Sequence, residues 1–305
     1  MEKNYDLLII GGGPGGLTAG VYAKRAGLNC AIIERGPLGG TLNITHEVSN
    51  YTGFSNITGP DLAEKMIAHA KSFDLPFIYE EVKSITLKGG KKIVKTFQNT
   101  YSAKAIIIGI GAQAKKLGVK NEKQYLGKGV SYCASCDGNF FKGKDVAIVG
   151  GGNSSLEDGS YLAGIVNKLY VVHRRDHFTG EKYLIDRLSN LKNVEKIFDS
   201  EVCAIGGENT LENITIKNLQ TGKKQKLNVN ALFVCIGRGP DTDVIDFDIE
   251  KDKMGYILTD QNMQTSVEGV YAIGDIRATP LRQIITACSD GAISATSALK
   301  YIQSH

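Results

Sequence analysis

The segment Leu7-Leu8-Ile9-Ile10-Gly11-Gly12-Gly13 has a counterpart of the same pattern in Val146-Ala147-Ile148-Val149-Gly150-Gly151-Gly152. No other feature of this chain narrows its fold so far. Each copy is an apolar run that ends in glycines. A helical pattern follows (Leu17 to Arg25; Leu156 to Ala163), then a second apolar run (Cys30 to Ile33; Leu169 to Val172). Strand, tight turn, helix and second strand make the β-α-β unit of a doubly wound sheet. Each repeat also closes alike, on Ala105-Ile106-Ile107-Ile108-Gly109-Ile110-Gly111 and on Ala231-Leu232-Phe233-Val234-Cys235-Ile236-Gly237. The expected fold class is therefore α/β, with two Rossmann-like, three-layer nucleotide-binding domains.

Between opening and closing, both repeats carry short alternating strands with polar turns: Val82 to Leu87, Ile93 to Phe97, and Asn213 to Asn218 before the turn at Gln220-Thr221-Gly222-Lys223. Gly59-Pro60-Asp61 predicts the start of a helix running to about Phe73, with Leu62, Met66, Ile67 and Ala70 on one face. After the second repeat come another strand, Val270-Tyr271-Ala272-Ile273 before Gly274-Asp275, and a final Ala/Ser-rich helix from Ile284 to Tyr301. This tail is too short for a third domain. It is expected to return and complete the first, giving residues 1–113 plus 243–305 as one discontinuous domain and 114–242 as an inserted one. The two crossings offer a hinge.

The bulk numbers exclude several classes. Net charge is +4, from 36 basic and 32 acidic residues, and the excess is scattered rather than gathered into a stripe for nucleic acid. No apolar run approaches the ~20 residues of a membrane span. The first strand is expected from Tyr5, which leaves no room for a signal peptide. The default expectation is a cytoplasmic protein, where a structural disulfide framework is unusual.

Gly11, Gly13 and Gly16 match G-x-G-x-x-G, with Pro14 and Gly15 between them. The first glycine permits the turn, the second lets a pyrophosphate approach the backbone, and the third packs the helix on the sheet. Helix N–H groups and the helix dipole favour the phosphates. Glu34 closes the next strand, where a carboxylate can accept from ribose hydroxyls or simply be a solvated strand end. The second loop reads Gly150, Gly152, Asn153, Ser154 and Ser155, with serine in the third glycine's place. At the offset of Glu34 stands His173, followed by Arg174 and Arg175. An acid suits plain ribose hydroxyls, as in FAD. Arginines suit the 2′-phosphate of NADPH.

Cys133-Ala134-Ser135-Cys136-Asp137 lies between the two loops. A C-x-x-C is half a zinc site or a dithiol/disulfide pair. Zinc needs two further ligands, and the chain has no second C-x-x-C. His173 and His177 sit around Asp176 at a conceivable ligand spacing, but no cysteine motif is near them in sequence. The pair is expected to be redox-active with no metal, and Asp137 is the candidate acid/base, or else a turn residue with Gly138. The other cysteines (Cys30, Cys203, Cys235, Cys288) sit mostly in apolar segments and are expected to be core.

Taken together, Gly11 to Gly16, Cys133 to Gly138, Gly150 to Asn153, His173 to Asp176, and Gly274-Asp275 with Arg282-Gln283 resemble the low-molecular-weight, bacterial-type thioredoxin reductases over essentially the whole chain. The resemblance implies a homodimeric flavoprotein thioredoxin-disulfide reductase, with an FAD domain split around an NADPH domain. NADPH would reduce FAD, FAD would reduce the Cys133–Cys136 disulfide, and the dithiol would reduce thioredoxin. It implies that Cys136 faces the flavin, that Cys133 attacks thioredoxin, and that Asp137 is the acid/base. For FAD it implies Asp275 at the ribityl chain, Gln283 near the ring, Glu34 at the ribose and Asn50 on the flavin side, with Gly274 and Arg282 in the same motif. It also implies that the two domains rotate. Six positions in four places depart from the family pattern: Thr179 where a third arginine is usual, Ser155 for alanine, Asp158-Gly159 for Glu-Ala, and Gly109-Ile110 for Ala-Thr. Thr179 leaves open a flavin thioredoxin reductase fed by ferredoxin or another donor. A non-catalytic nucleotide-binding redox sensor is the alternative of another class.

Overall fold

The computed structural model describes residues 3–305. They form two compact units, one of residues up to Gln113 with Gly239–His305, the other of Ala114–Arg238. The chain thus leaves the second unit a little before the expected residue 243. The reason is local: Arg238–Pro240 pairs with Ala112–Ala114 in a two-stranded sheet. Lys115 N also donates to Gly237 O at 2.9 Å.

The first unit is built on a seven-stranded sheet. From one edge run Phe77–Tyr79, Cys30–Glu34, Lys3–Ile10 and Thr100–Ile108, all parallel. Thr100–Ile108 then pairs through its first half with the antiparallel hairpin Val82–Lys88 and Lys91–Thr96. Its second half pairs with the returning strand Val270–Ala272 in parallel. Leu7 and Ile9 enter one core with Ile32, Ile107 and the helix residues Leu17, Ala295 and Ile302. Leu8 and Ile10 enter the other with Ile33, Ile85, Ile106 and Ile257. Both faces are covered, so the strand is apolar throughout rather than alternating.

Three helices serve this sheet. Pro14–Arg25 follows the glycine loop, with proline at its first turn where the missing N–H costs nothing. Gly59–Lys71 is capped by Thr58, whose Oγ1 accepts from Asp61 N at 3.2 Å. It stops short of the expected Phe73 because Asp74 takes a left-handed φ of 51° just beyond. Ile284–Ser304 runs slightly past the expected Tyr301. Its small residues have a reason. A Cβ on Gly291 would stand 2.2 Å from Gly15 O, so this helix and the first touch backbone to backbone.

The second unit holds five parallel strands in the order Val194–Ile197, Lys168–Val172, Asp145–Val149, Ala231–Val234 and Val130–Ser131. On one face Leu156 and Leu162 of helix Asn153–Ala163 pack with Leu184 and Leu188 of helix Lys182–Ser189. On the other lies a three-stranded antiparallel sheet, Ser200–Gly206, Asn213–Asn218 and Lys224–Asn228, contributing Val202, Ile205, Ile214, Ile216 and Leu227. Helices, parallel sheet and antiparallel sheet make the three layers. Among the described residues no helix is long and apolar enough to cross a membrane.

Candidate active site

The two glycine loops are built the same way. Gly11 takes φ 106°, and a Cβ on it would meet Gly109 O at 2.3 Å; Gly150 takes φ 147°, and its Cβ would meet Cys235 O at 2.2 Å. In each case the strand that closes the repeat presses a carbonyl onto the loop. That crowding keeps Gly109 small too, since Ile273 fills the place where its side chain would be. Gly13 and Gly152 cap the helices that follow, with ψ of −177° in both. A Cβ on either would meet nothing within 4 Å. These are open cradles of backbone N–H groups at a helix start, the shape a pyrophosphate needs.

The third position separates the loops. A Cβ on Gly16 would be 1.9 Å from Gly11 O. Ser155 does carry a Cβ, fitted into space that Gly150 leaves, and its buried Oγ has no partner. Pro14 and Gly15 lie in the first turn, Gly15 against Ala287 O. Asn153 and Ser154 begin the second helix.

The residues beside the first loop gather as follows. Glu34 ends its strand, and its carboxylate accepts from Gly12 N at 2.7 Å and Gly36 N at 3.0 Å. It therefore fixes the loop itself, besides its expected use at a ribose. Asn50 Nδ2 donates to Gln283 Oε1 at 3.0 Å, joining two expected flavin-side residues far apart in sequence. Gln283 also caps the Ile284–Ser304 helix in a reciprocal box with Thr286. Arg282 stacks over Tyr256 at 3.9 Å, and its Nε is buried without a partner. Gly274 and Asp275 form a single 3-10 turn, Gly274 at φ 66°.

What holds that turn leaves little trace in the sequence. Gly274 N donates to Asp290 Oδ2 at 3.0 Å, and Arg277 Nη1 bonds both Asp290 oxygens at 3.3 Å. The pair is well buried, with side chains 13% and 10% exposed. Burial pushes the Asp290 carboxyl up, against the bonds from Gly274 and Arg277. The only sequence signal was an acid in an otherwise small-residue helix. Asp290→Asn leaves Arg277 buried without its counter-charge, and is expected to cost up to about 3–5 kcal/mol in urea unfolding.

The second loop departs further from expectation. His173 lies beneath it at 8% exposure, so close that a Cβ on Gly151 would be 2.4 Å from its Nδ1. Burial, then Arg175 and Arg174, pull its pKa down, which favours a neutral ring. Of the three bases only Arg174 and Arg175 are exposed. Thr179 staples the following segment to the loop: its N–H and Oγ1 both donate to Gly151 O, at 2.7 and 3.2 Å. Asn153 and Glu181 complete the clasp by exchanging bonds of 2.9 and 2.8 Å. The unusual Asp158-Gly159 also acquires reasons. Gly159 faces Leu188 closely, and Asp158 accepts from Cys235 Sγ at 3.3 Å.

Cys133 and Cys136 are joined as a disulfide, with Cα atoms 5.3 Å apart. Cys133 caps a four-residue helix, Ala134–Asp137, and its sulfur accepts from Cys136 N at 3.2 Å. Cys136 is exposed and Cys133 half-buried. Asp137 Oδ2 accepts from the buried Ser131 hydroxyl at 2.6 Å, and Cys133 N donates to the same hydroxyl at 3.0 Å. One serine thus ties the candidate acid/base to the first cysteine. Of the other cysteines, Cys30 is buried and its thiol is pushed by burial up to about 11, while Cys203, Cys235 and Cys288 are half-buried.

Two dinucleotide cradles and a disulfide on one chain define a class, and the family model described as pyridine nucleotide-disulphide oxidoreductase matches residues 5–291. Thioredoxin reductase of Bacillus subtilis is 42% identical over 303 residues, covering 99% of this chain and 96% of that one. The crystal structure of Lactococcus lactis thioredoxin reductase matches with TM-score 0.95 and 35% identity, over 99% and 100% of the two chains. A ferredoxin-flavin thioredoxin reductase from Clostridium acetobutylicum matches with TM-score 0.57 and 27% identity, over all of both chains. The chain belongs to the pyridine nucleotide-disulphide oxidoreductases and, within them, to the bacterial-type thioredoxin reductases.

Proposed function

We propose that this protein is a flavoprotein thioredoxin-disulfide reductase that takes electrons from NADPH through FAD and the Cys133–Cys136 pair. The observation that carries this reading is the Cys133–Cys136 disulfide closed beside Asp137, in a chain with two open dinucleotide cradles. FAD fits the first cradle with Gly11, Gly13, Glu34, Asn50, Asp275 and Gln283. NADPH fits the second with Gly150, Gly152, Arg174 and Arg175. Thioredoxin is the partner. A homodimer in the cytoplasm, and a discontinuous FAD domain around an inserted NADPH domain, belong to the same reading.

When bound, FAD and NADPH supply the electron pair that keeps Cys133 and Cys136 reduced. The chain's own residues do the exchange. Cys133, as thiolate, attacks one sulfur of the partner's disulfide, and the partner's second sulfur leaves and takes a proton. Cys136, as thiolate, then attacks the Cys133 sulfur of the mixed disulfide, restoring the internal bond and releasing a second partner thiol. Two electrons leave this protein and the partner's disulfide becomes a dithiol. The Cys136 N–H aimed at the Cys133 sulfur favours the thiolate form of the attacking residue. Asp137 holds or moves the proton, and Ser131 aims its carboxyl.

Steady-state turnover of thioredoxin disulfide with NADPH tests the reading. NADPH is expected to outperform NADH, since only the former offers a phosphate to Arg174 and Arg175. Equal rates would remove the phosphate argument. The second reading, a ferredoxin-fed enzyme, rests on Thr179, which spends its hydroxyl on Gly151 O rather than adding a third cation. Turnover with ferredoxin and none with NADPH would favour it. Absence of turnover with either donor would favour the non-catalytic sensor.

A further inference from the structure

Glu122 is a carboxylate at 7% exposure on a short 3-10 turn that the redox mechanism does not use. Three donors converge on it. Leu117 N reaches Oε1 and Gly118 N reaches Oε2, each at 2.8 Å, and the Tyr132 hydroxyl donates to Oε1. Leu117 and Gly118 belong to the stretch entering the second unit, which has no ladder of its own between Lys115 and Val119. Tyr132 is the residue immediately before Cys133. Leu117, Val119 and Tyr132 all pack on the core beneath the sheet, together with the buried Tyr125. One carboxylate therefore fastens the entry segment to the chain that carries the redox disulfide.

From this geometry we propose that Glu122 and Tyr132 are positioning residues for the Cys133–Cys136 pair, holding the first cysteine where thiol–disulfide exchange needs it. The proposal rests on the thioredoxin reductase reading but concerns the cysteine pair alone. Held at Tyr132 from one side and at Ser131 from below, the Cys133 backbone has little freedom when the dithiol forms. The two sulfurs then stay near each other, which favours closing over drifting apart. The bonds from Tyr132, Leu117 and Gly118 draw the Glu122 pKa down against its burial, so the pin stands intact at neutral pH. Burial and the carboxylate beside it push the Tyr132 hydroxyl up, so it remains a donor.

Equilibration of the FAD-containing protein with reduced and oxidised glutathione tests this without NADPH. Two glutathione thiols become one glutathione disulfide as the Cys133–Cys136 bond becomes a dithiol, and alkylation followed by mass measurement counts the fraction reduced. Tyr132→Phe and Glu122→Gln are each expected to move that equilibrium about tenfold toward the dithiol, and the double variant no further than the stronger single one. Thioredoxin turnover should fall, while NADPH-driven flavin bleaching stays within twofold of the parent. If both variants keep the parent's glutathione equilibrium and lose only melting temperature, the residues are merely structural and the proposal is overturned. Tyr132→Phe keeps the test decisive if Glu122→Gln does not fold. A parent protein that equilibrates with glutathione but never turns over thioredoxin would sink the functional reading and leave this inference to be judged on its own.

Discussion

Cys133→Ser is expected to lower thioredoxin turnover by more than about a thousandfold, the scale on which removing a covalent nucleophile acts. The first half of the reaction should survive. Neither cradle contains Cys133, so NADPH should bleach the bound flavin in the variant as in the parent. Cys136→Ser should differ in kind. It keeps an attacking thiol at Cys133 but removes the resolving one, so a mixed disulfide with thioredoxin should accumulate after a single encounter. Non-reducing electrophoresis of the two variants, each incubated with oxidised thioredoxin after reduction, separates these outcomes. Cys133→Ser should show no adduct and Cys136→Ser a stable one. The reverse pattern would exchange the assigned roles.

Gly13→Ala and Gly152→Ala are expected to be silent in the protein without nucleotide and costly with it. A Cβ at either place meets nothing within 4 Å of protein. It would instead crowd a pyrophosphate bound in the cradle. The overlap should cost about 1–3 kcal/mol, by analogy with overpacking, or about tenfold to a hundredfold in affinity. Gly13→Ala should weaken FAD retention. Gly152→Ala should keep FAD and raise the NADPH concentration needed for bleaching. Gly16→Ala is the control with the opposite signature, because its Cβ would lie 1.9 Å from Gly11 O and must disturb the fold even without ligand. Melting curves with and without FAD distinguish the two kinds of glycine. A large destabilisation of Gly13→Ala without FAD would show that the cradle is filled by protein after all.

Much of this was legible because the repeat carries its own period. The run Leu7 to Ile10 is apolar at every position, and only a strand covered on both faces asks for that. The glycines that end it mark places where a backbone or ligand must come close. The returning strand Val270–Ala272 was readable for the same reason, although its partner, the second half of Thr100–Ile108, was not. Register between distant strands depends on packing that no local pattern records.

At the site, the residues were legible and their roles less so. His173 reads as a base in line with Arg174 and Arg175, yet the turn after its strand folds it under Gly151 and leaves only the arginines exposed. Thr179 reads as a missing arginine, and the structure makes it a clasp. Asp290, Arg277, Glu122 and Ser131 escaped notice entirely. Each works by bonding a backbone group or a side chain across a turn or loop, at 2 to 16 residues' separation, and such single pairings follow no fixed spacing that a sequence displays. What sequence can read is a motif whose members act together in a short stretch. What it cannot read is the support beneath.

Electrons are expected to enter at the second cradle and leave at Cys133. Anaerobic titration of the FAD-loaded protein with NADPH tests it most directly, followed in the flavin absorbance and then by addition of oxidised thioredoxin. Bleaching is expected at micromolar to submillimolar NADPH, on the order of usual cofactor affinities, with recovery of the flavin colour as thioredoxin is reduced. A flavin that stays oxidised through the titration, yet bleaches when reduced ferredoxin is supplied, would contradict it.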